Sequence, residues 1–230
     1  MKILALEFSS PQRSVAVVSA SSLGRTSAPL FPGAFPSTLE IIDTAPRVTN
    51  AFSMIERALH EAQLEREQID CIAVGLGPGS YTGIRAAIAV AQGWQLVRPT
   101  KLLGISTADC LAAQSHANAL TGRIAVIIDA QRGEFYIAGY ELDTAGWRET
   151  NPLKLAALNE VRQHEQTHEL LVGPEVQRWF PAGRTVLPRA TTLGQLALSR
   201  SDFVSGERLE PIYLRQTAFV KAPPSRILPT

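Results

Sequence analysis

Two stretches of this 230-residue chain have residue types and spacings that could do chemistry. His164, Glu165 and His168, in HEQTH, have the H-E-x-x-H spacing that sets two imidazoles one helical turn apart around zinc with a carboxylate as base. The other is GLGPGSYTGIR, residues 75–85. Gly75, Gly77 and Gly79 allow positive φ and close backbone approach, Pro78 stiffens the turn, and Ser80 or Thr82 is placed to cap a following helix. Amides at a helix N-terminus attract anions, which makes a phosphate cradle the sharper interpretation. No Lys-Ser/Thr pair follows the glycines, however, and the spacing is not G-x-G-x-x-G. A tight strand-to-helix connection is therefore preferred.

The elements that would position these residues follow from hydrophobic period. KILALEF and SVAVVSAS read as strands joined by the polar turn SSPQR, and DCIAVGL as a buried strand leading into the glycine turn. Pro29, Pro32 and Pro36 argue against a regular element in the long segment 21–45. Between Val48 and Gln63, Phe52, Ile55, Leu59 and Ala62 recur at helical spacing. A second helix is predicted from Gly83 to Val97, apolar all round and rich in alanine, so another surface must cover each side. RIAVIIDA, QRG and EFYIAGYEL then repeat the strand, acid, turn and return strand of the amino terminus, with Asp129 matching Glu7. This repetition predicts a duplicated α/β fold with mixed sheets, divided near Arg98 to Lys101. HEQTH falls on a predicted peripheral helix from Lys154 to His168 whose neighbours Arg162, Gln163, Gln166 and Thr167 are polar, favouring a solvated face over a zinc site.

Composition excludes several classes. Lys+Arg 22 against Asp+Glu 21 gives a net charge of +1, so no global field holds a nucleic acid or an anionic membrane. Cys71 and Cys110 are far apart in apolar surroundings and read as buried structural thiols, and His60 and His116 are isolated. The apolar run before Glu7 is too short for a signal peptide, and no stretch reaches the roughly twenty residues that span a bilayer. A cytoplasmic protein is expected.

GLGPGSYTGIR resembles the G-x-G-P-G-S-F/Y-T-G-x-R signature of the TsaB family, partner proteins in making threonylcarbamoyladenosine on tRNA. ILALEFSS, LLGIST, IDAQRGEFY and EPIYLR agree with the same family in order and spacing. The resemblance implies an actin/hexokinase-like (ribonuclease H-like) fold of two small domains, 1–99 plus 206–230 and 100–205. Active members of that superfold hold a nucleotide's metal with acids matching Glu7 and Asp129. Phe8 beside Glu7 and the lack of a second glycine pair imply a degenerate site, with no cofactor and no metal. The catalytic relative TsaD carries an H-x-x-x-H metal pair where this chain has Thr107 and Leu111. The implied role is a non-catalytic partner of TsaD, acting with TsaE and reaching tRNA through the complex. Phe52, Ile55 and Leu59 on the first helix and Ala86, Val90 and Trp94 on the second are the expected contacts. Self-association through the same helices is left open for the isolated chain. Gly83 and Arg85 complete the structural turn. The alternative is a small actin-like kinase or ATPase using Glu7 and Asp129. Three departures mark a divergent member: Glu7 stands where Asp is usual, segment 21–45 is long, and APRVTNAF lacks the usual histidine.

Overall fold

A computed structural model of the chain describes residues 1–19, 37–44, 50–166 and 169–215, the side chains of Ser37 and Glu165 excepted. Two five-stranded mixed sheets repeat one topology. In the first, β1 (Lys2–Glu7), β2 (Arg13–Ser19) and β3 (Ser37–Asp43) are antiparallel neighbours, and β4 (Cys71–Gly75) and β5 (Lys101–Ile105) run parallel to β1 in the order β3-β2-β1-β4-β5. In the second, β6 (Gly122–Asp129), β7 (Glu134–Leu142) and β8 (Trp147–Ala157) take the antiparallel places, and β9 (Leu170–Gly173) and β10 (Arg184–Thr185) the parallel ones, in the order β8-β7-β6-β9-β10. The duplicated ribonuclease H-like fold is thus visible strand by strand.

Alternation sets the layers. Leu4, Leu6 and Phe8 face one side of the first sheet and bury against α1 (Ala51–Glu61) and α2 (Tyr81–Val97). Ile3, Ala5, Ala73 and Ile105 face the other side and meet Cys110 of α3 (Thr107–Ala117) and Leu193 of α5 (Ala190–Leu198). Leu111 and Ala112 of α3 cover Ile124, Val126 and Tyr140 of the second sheet. Helices α3 and α5, which also touch one another, therefore lie between the sheets. The outer face of the second sheet is closed by Val161 of α4 (Leu158–Gln166) with Val176 and Phe180.

Three element boundaries differ from expectation. Residues 37–43 inside the proline-rich segment form β3, because Ile41 and Leu39 point to the core and the strand pairs with β2 along its whole length; residues 20–36 lie outside the described residues. Helix α4 begins at Leu158, four residues later than predicted, since Lys154–Ala157 is held in β8 by pairing with β7. Helix α1 ends at Glu61, because Gln63 has a φ of 54° that no right-handed helix accommodates. Strand β5, just past the expected boundary at 99, belongs to the first sheet, and α5 packs on β1 and β2. Residues 206–209 return to the first half, where the Gln92 side-chain amide donates to the Gly206 carbonyl at 2.8 Å and Leu209 is buried in the first core. No described helix is long and apolar enough to cross a membrane.

Candidate functional site: a cleft under the glycine turn

The glycine turn leaves β4, the strand between β1 and β5 in the first sheet, and opens α2. Its conformation is one that side chains disfavour: φ is +85° at Gly77 and +152° at Gly79, and the Gly77–Pro78 peptide is cis. Ser80 caps α2, its hydroxyl accepting from the Gly83 amide at 3.3 Å, which selects between the two expected caps and starts the helix at Tyr81. The turn is packed onto the β1–β2 hairpin. The Ser80 amide donates to the Ser9 carbonyl at 2.7 Å, and a Cβ on Gly83 would fall 2.0 Å from the Phe8 carbonyl oxygen. Thr82 is exposed on the first turn of the helix, with Arg85 exposed beyond it.

Between the two hairpin turns lies a cleft of about 960 Å³, lined by Ser9 to Pro11, Gly79 to Tyr81, Asp129 to Arg132, Tyr136, Glu175, Tyr213 and Arg215 among others. Asp129 lines it, but one carboxylate oxygen accepts the Gln131 amide at 2.7 Å. Glu7 does not line it. Its side chain is fully buried and turned back over Gly75, where a Cβ would lie 2.2 Å from Oε2. Oε1 accepts the Ser9 amide at 2.8 Å, while Oε2 has no hydrogen-bond partner among the described residues. Burial pushes the Glu7 carboxyl above its ordinary range, and Ser9 offsets only part of this. The matching acids of the repeat thus stand in different environments, Glu7 buried away from the cleft lining and Asp129 part of it. Phe8, adjacent to Glu7, is itself buried in the first core.

Thr107 and Leu111, which the resemblance sets at the positions of a metal pair, are both buried. Burial pushes the thiol of Cys71 up to about 11 and that of Cys110 higher than usual, as expected of structural cysteines. Of the H-E-x-x-H stretch, His164 is described: its Nδ1 lies 2.7 Å from a Glu169 carboxylate oxygen. The Glu165 side chain and His168 lie outside the described residues.

The two helices named as contacts divide unevenly. Ile55 and Leu59 are buried at 3% and 4% exposure in the protein's own core, so of the three only Phe52, exposed at 69%, reaches the surface of α1, beside the polar Glu56, Arg57 and His60. On α2, Ala86, Val90 and Trp94 are half-buried, and Leu96 and Val97 are exposed at 89% and 84%. A pair that composition did not single out also lines the cleft. Tyr81 and Tyr213 stack with centroids 5.5 Å apart, and the local signals for it are the motifs that contain them, GLGPGSYTGIR and EPIYLR.

The fold and cleft define a duplicated actin-like chain whose two hairpin turns face one another across a groove. The family description TsaD, tRNA N6-adenosine threonylcarbamoyltransferase, matches residues 47–204. The TsaB protein of Escherichia coli (tRNA threonylcarbamoyladenosine biosynthesis protein TsaB) is 30% identical over 190 residues, covering 75% of this chain and 82% of its own length. That of Haemophilus influenzae is 24% identical over 192 residues, with 75% and 81% coverage. A Pseudomonas aeruginosa crystal structure, described as an uncharacterized protein with similarity to peptidase YEAZ, superposes with a TM-score of 0.75 at 26% identity, covering 93% of this chain and 99% of that one. This chain belongs to the TsaB family, a branch of the TsaD-related proteins.

Proposed function

We propose that the chain is a non-catalytic subunit in threonylcarbamoyladenosine formation on tRNA, which binds TsaD and, with TsaE, makes it competent for transfer to an adenosine next to the anticodon. It works in the cytoplasm and meets tRNA within that complex. The observation that carries the reading is the position of Glu7: a fully buried carboxyl that does not line the cleft is not placed to hold a nucleotide's metal together with Asp129. This weighs against the kinase or ATPase alternative. The surface offered instead is apolar and helical, with Phe52 on α1 and Ala86, Val90, Trp94, Leu96 and Val97 on α2. In the isolated chain the same face supports a homodimer.

Co-elution with TsaD on size exclusion tests the assignment. Val90→Asp places a charge on the half-buried edge of this face and is expected to abolish co-elution. Co-elution unchanged in Val90→Asp, with the variant folded by circular dichroism, would contradict it.

A further inference from the structure

Tyr81 and Tyr213 are exposed at 58% and 48%, yet their rings stack at an interplanar angle of 28°. The Arg85 guanidinium lies 5.4 Å from the Tyr81 ring centroid. Tyr213 does not owe its position to the stack alone. One residue before it, the Ile212 amide donates to the Leu76 carbonyl at 2.9 Å; two residues after it, the Arg215 guanidinium donates to the Ala130 and Gln131 carbonyls at 2.9 and 3.2 Å. Segment 209–215 is thus a strap tied to the glycine turn at one end and to the β6–β7 turn at the other, holding an aromatic face at the mouth of the cleft.

Polar surroundings set this patch apart from the apolar end of α2. Arg132 lines the cleft and makes no ion pair among the described residues. Asp129 and Glu175 repel phosphate, but both accept hydrogen bonds from the exocyclic amines of a base. Tyr81 opens α2 and Val97 closes it, so at 1.5 Å per residue the mouth and the apolar end are about 24 Å apart. A volume of about 960 Å³ is ample for a nucleotide.

We propose that the mouth of the cleft is a contact for single-stranded RNA: an unpaired base stacks on the Tyr213–Tyr81 pair, and the neighbouring phosphates lie against Arg132 and Arg85. An aromatic platform ordered in advance and flanked by guanidiniums suits RNA loops, whose bases are free to leave their own stack. The proposal rests on the tRNA-modification reading and adds that this chain itself touches the RNA.

The test is fluorescence anisotropy of the isolated full-length chain at low salt, with a labelled RNA hairpin bearing an unpaired loop and a fully paired duplex of the same stem as probes. The hairpin is expected to bind more tightly than the duplex. Tyr213→Phe keeps this affinity, and Tyr213→Leu, which keeps apolar area but no π face, lowers it about five- to a hundredfold. Arg132→Gln reduces the salt slope by about 0.7. Equal binding of hairpin and duplex, or of Tyr213→Leu and the parent, overturns the proposal. Co-elution of Tyr213→Leu with TsaD is measured in parallel. Loss of co-elution with RNA binding intact makes the mouth a protein contact and also overturns it. The subunit reading is judged by the Val90→Asp experiment, so the two can fail separately.

Discussion

Replacing Gly75 by alanine probes the burial of Glu7 directly. The new Cβ would stand 2.2, 2.8 and 3.1 Å from Oε2, Cδ and Oε1 of Glu7, all atoms of one carboxyl group. Ordinary contact begins near 3.4 Å, and the carboxyl is enclosed with its chain fully buried, so relief requires the strands to shift. Overpacking of this kind costs about 1–3 kcal/mol. Glu7→Ala alone strands the Ser9 amide in the interior, at about 1–3 kcal/mol, and is offset by removing a poorly solvated carboxyl. In the double variant the alanine methyl at 75 occupies space the carboxyl has left. The two changes should therefore be less damaging together than their sum, with a coupling of about 1–3 kcal/mol. Urea unfolding at pH 7, followed by tryptophan fluorescence, yields all four corners of the cycle. Additivity within about 0.5 kcal/mol would refute the placement of Glu7 over Gly75, and with it the argument that the acid is withheld from the cleft.

Two further outcomes follow from the same region. Because the folded pKa of Glu7 is raised above 4.5, the folded chain binds its proton more tightly than the unfolded chain. The contribution of Glu7 to stability accordingly falls as pH rises from about 4.5 through the raised value and is constant above it. Glu7→Gln removes this dependence. The stability of the variant relative to the parent should grow across that window by about 1.4 kcal/mol per unit of displacement, and a difference flat with pH in chemical denaturation would contradict the burial. Ser80→Ala removes the cap on α2 and should cost about 1 kcal/mol in the same assay, whereas Ser80→Asp should retain most of the stability.

The strands that carry the duplication were legible because burial on one or both faces leaves a period in the sequence. EFYIAGYEL coincides with β7, and the apolar runs ending at Glu7 and Asp129 are the central strands β1 and β6. The edge strand β3 was hidden by the neighbouring prolines; its identity comes from pairing with β2, a contact between residues far apart in the chain. For Lys154–Ala157 the run LKLAAL satisfies a helical stripe as well as a strand, and only pairing with β7 decides between them. The glycine turn and its cap were readable from residue type. Of the helical stripe Phe52, Ile55, Leu59 and Ala62, the sequence does not tell which members meet the protein's own core: Ile55 and Leu59 do, and Phe52 stays exposed. Tyr81 and Tyr213 each lie in a stretch legible as a motif, but their pairing could not be read, because the strap that joins them is a tertiary feature.

The most direct measurement is threonylcarbamoyl transfer to tRNA by TsaD and TsaE from the same source, supplied with the product of the upstream synthase, with and without this protein. The proposed role predicts transfer that depends strictly on the protein, undiminished in Asp129→Ala, with no ATP hydrolysis by the protein alone. Transfer at the same rate in its absence, or ATP hydrolysis by the isolated protein that Asp129→Ala removes, would contradict that role.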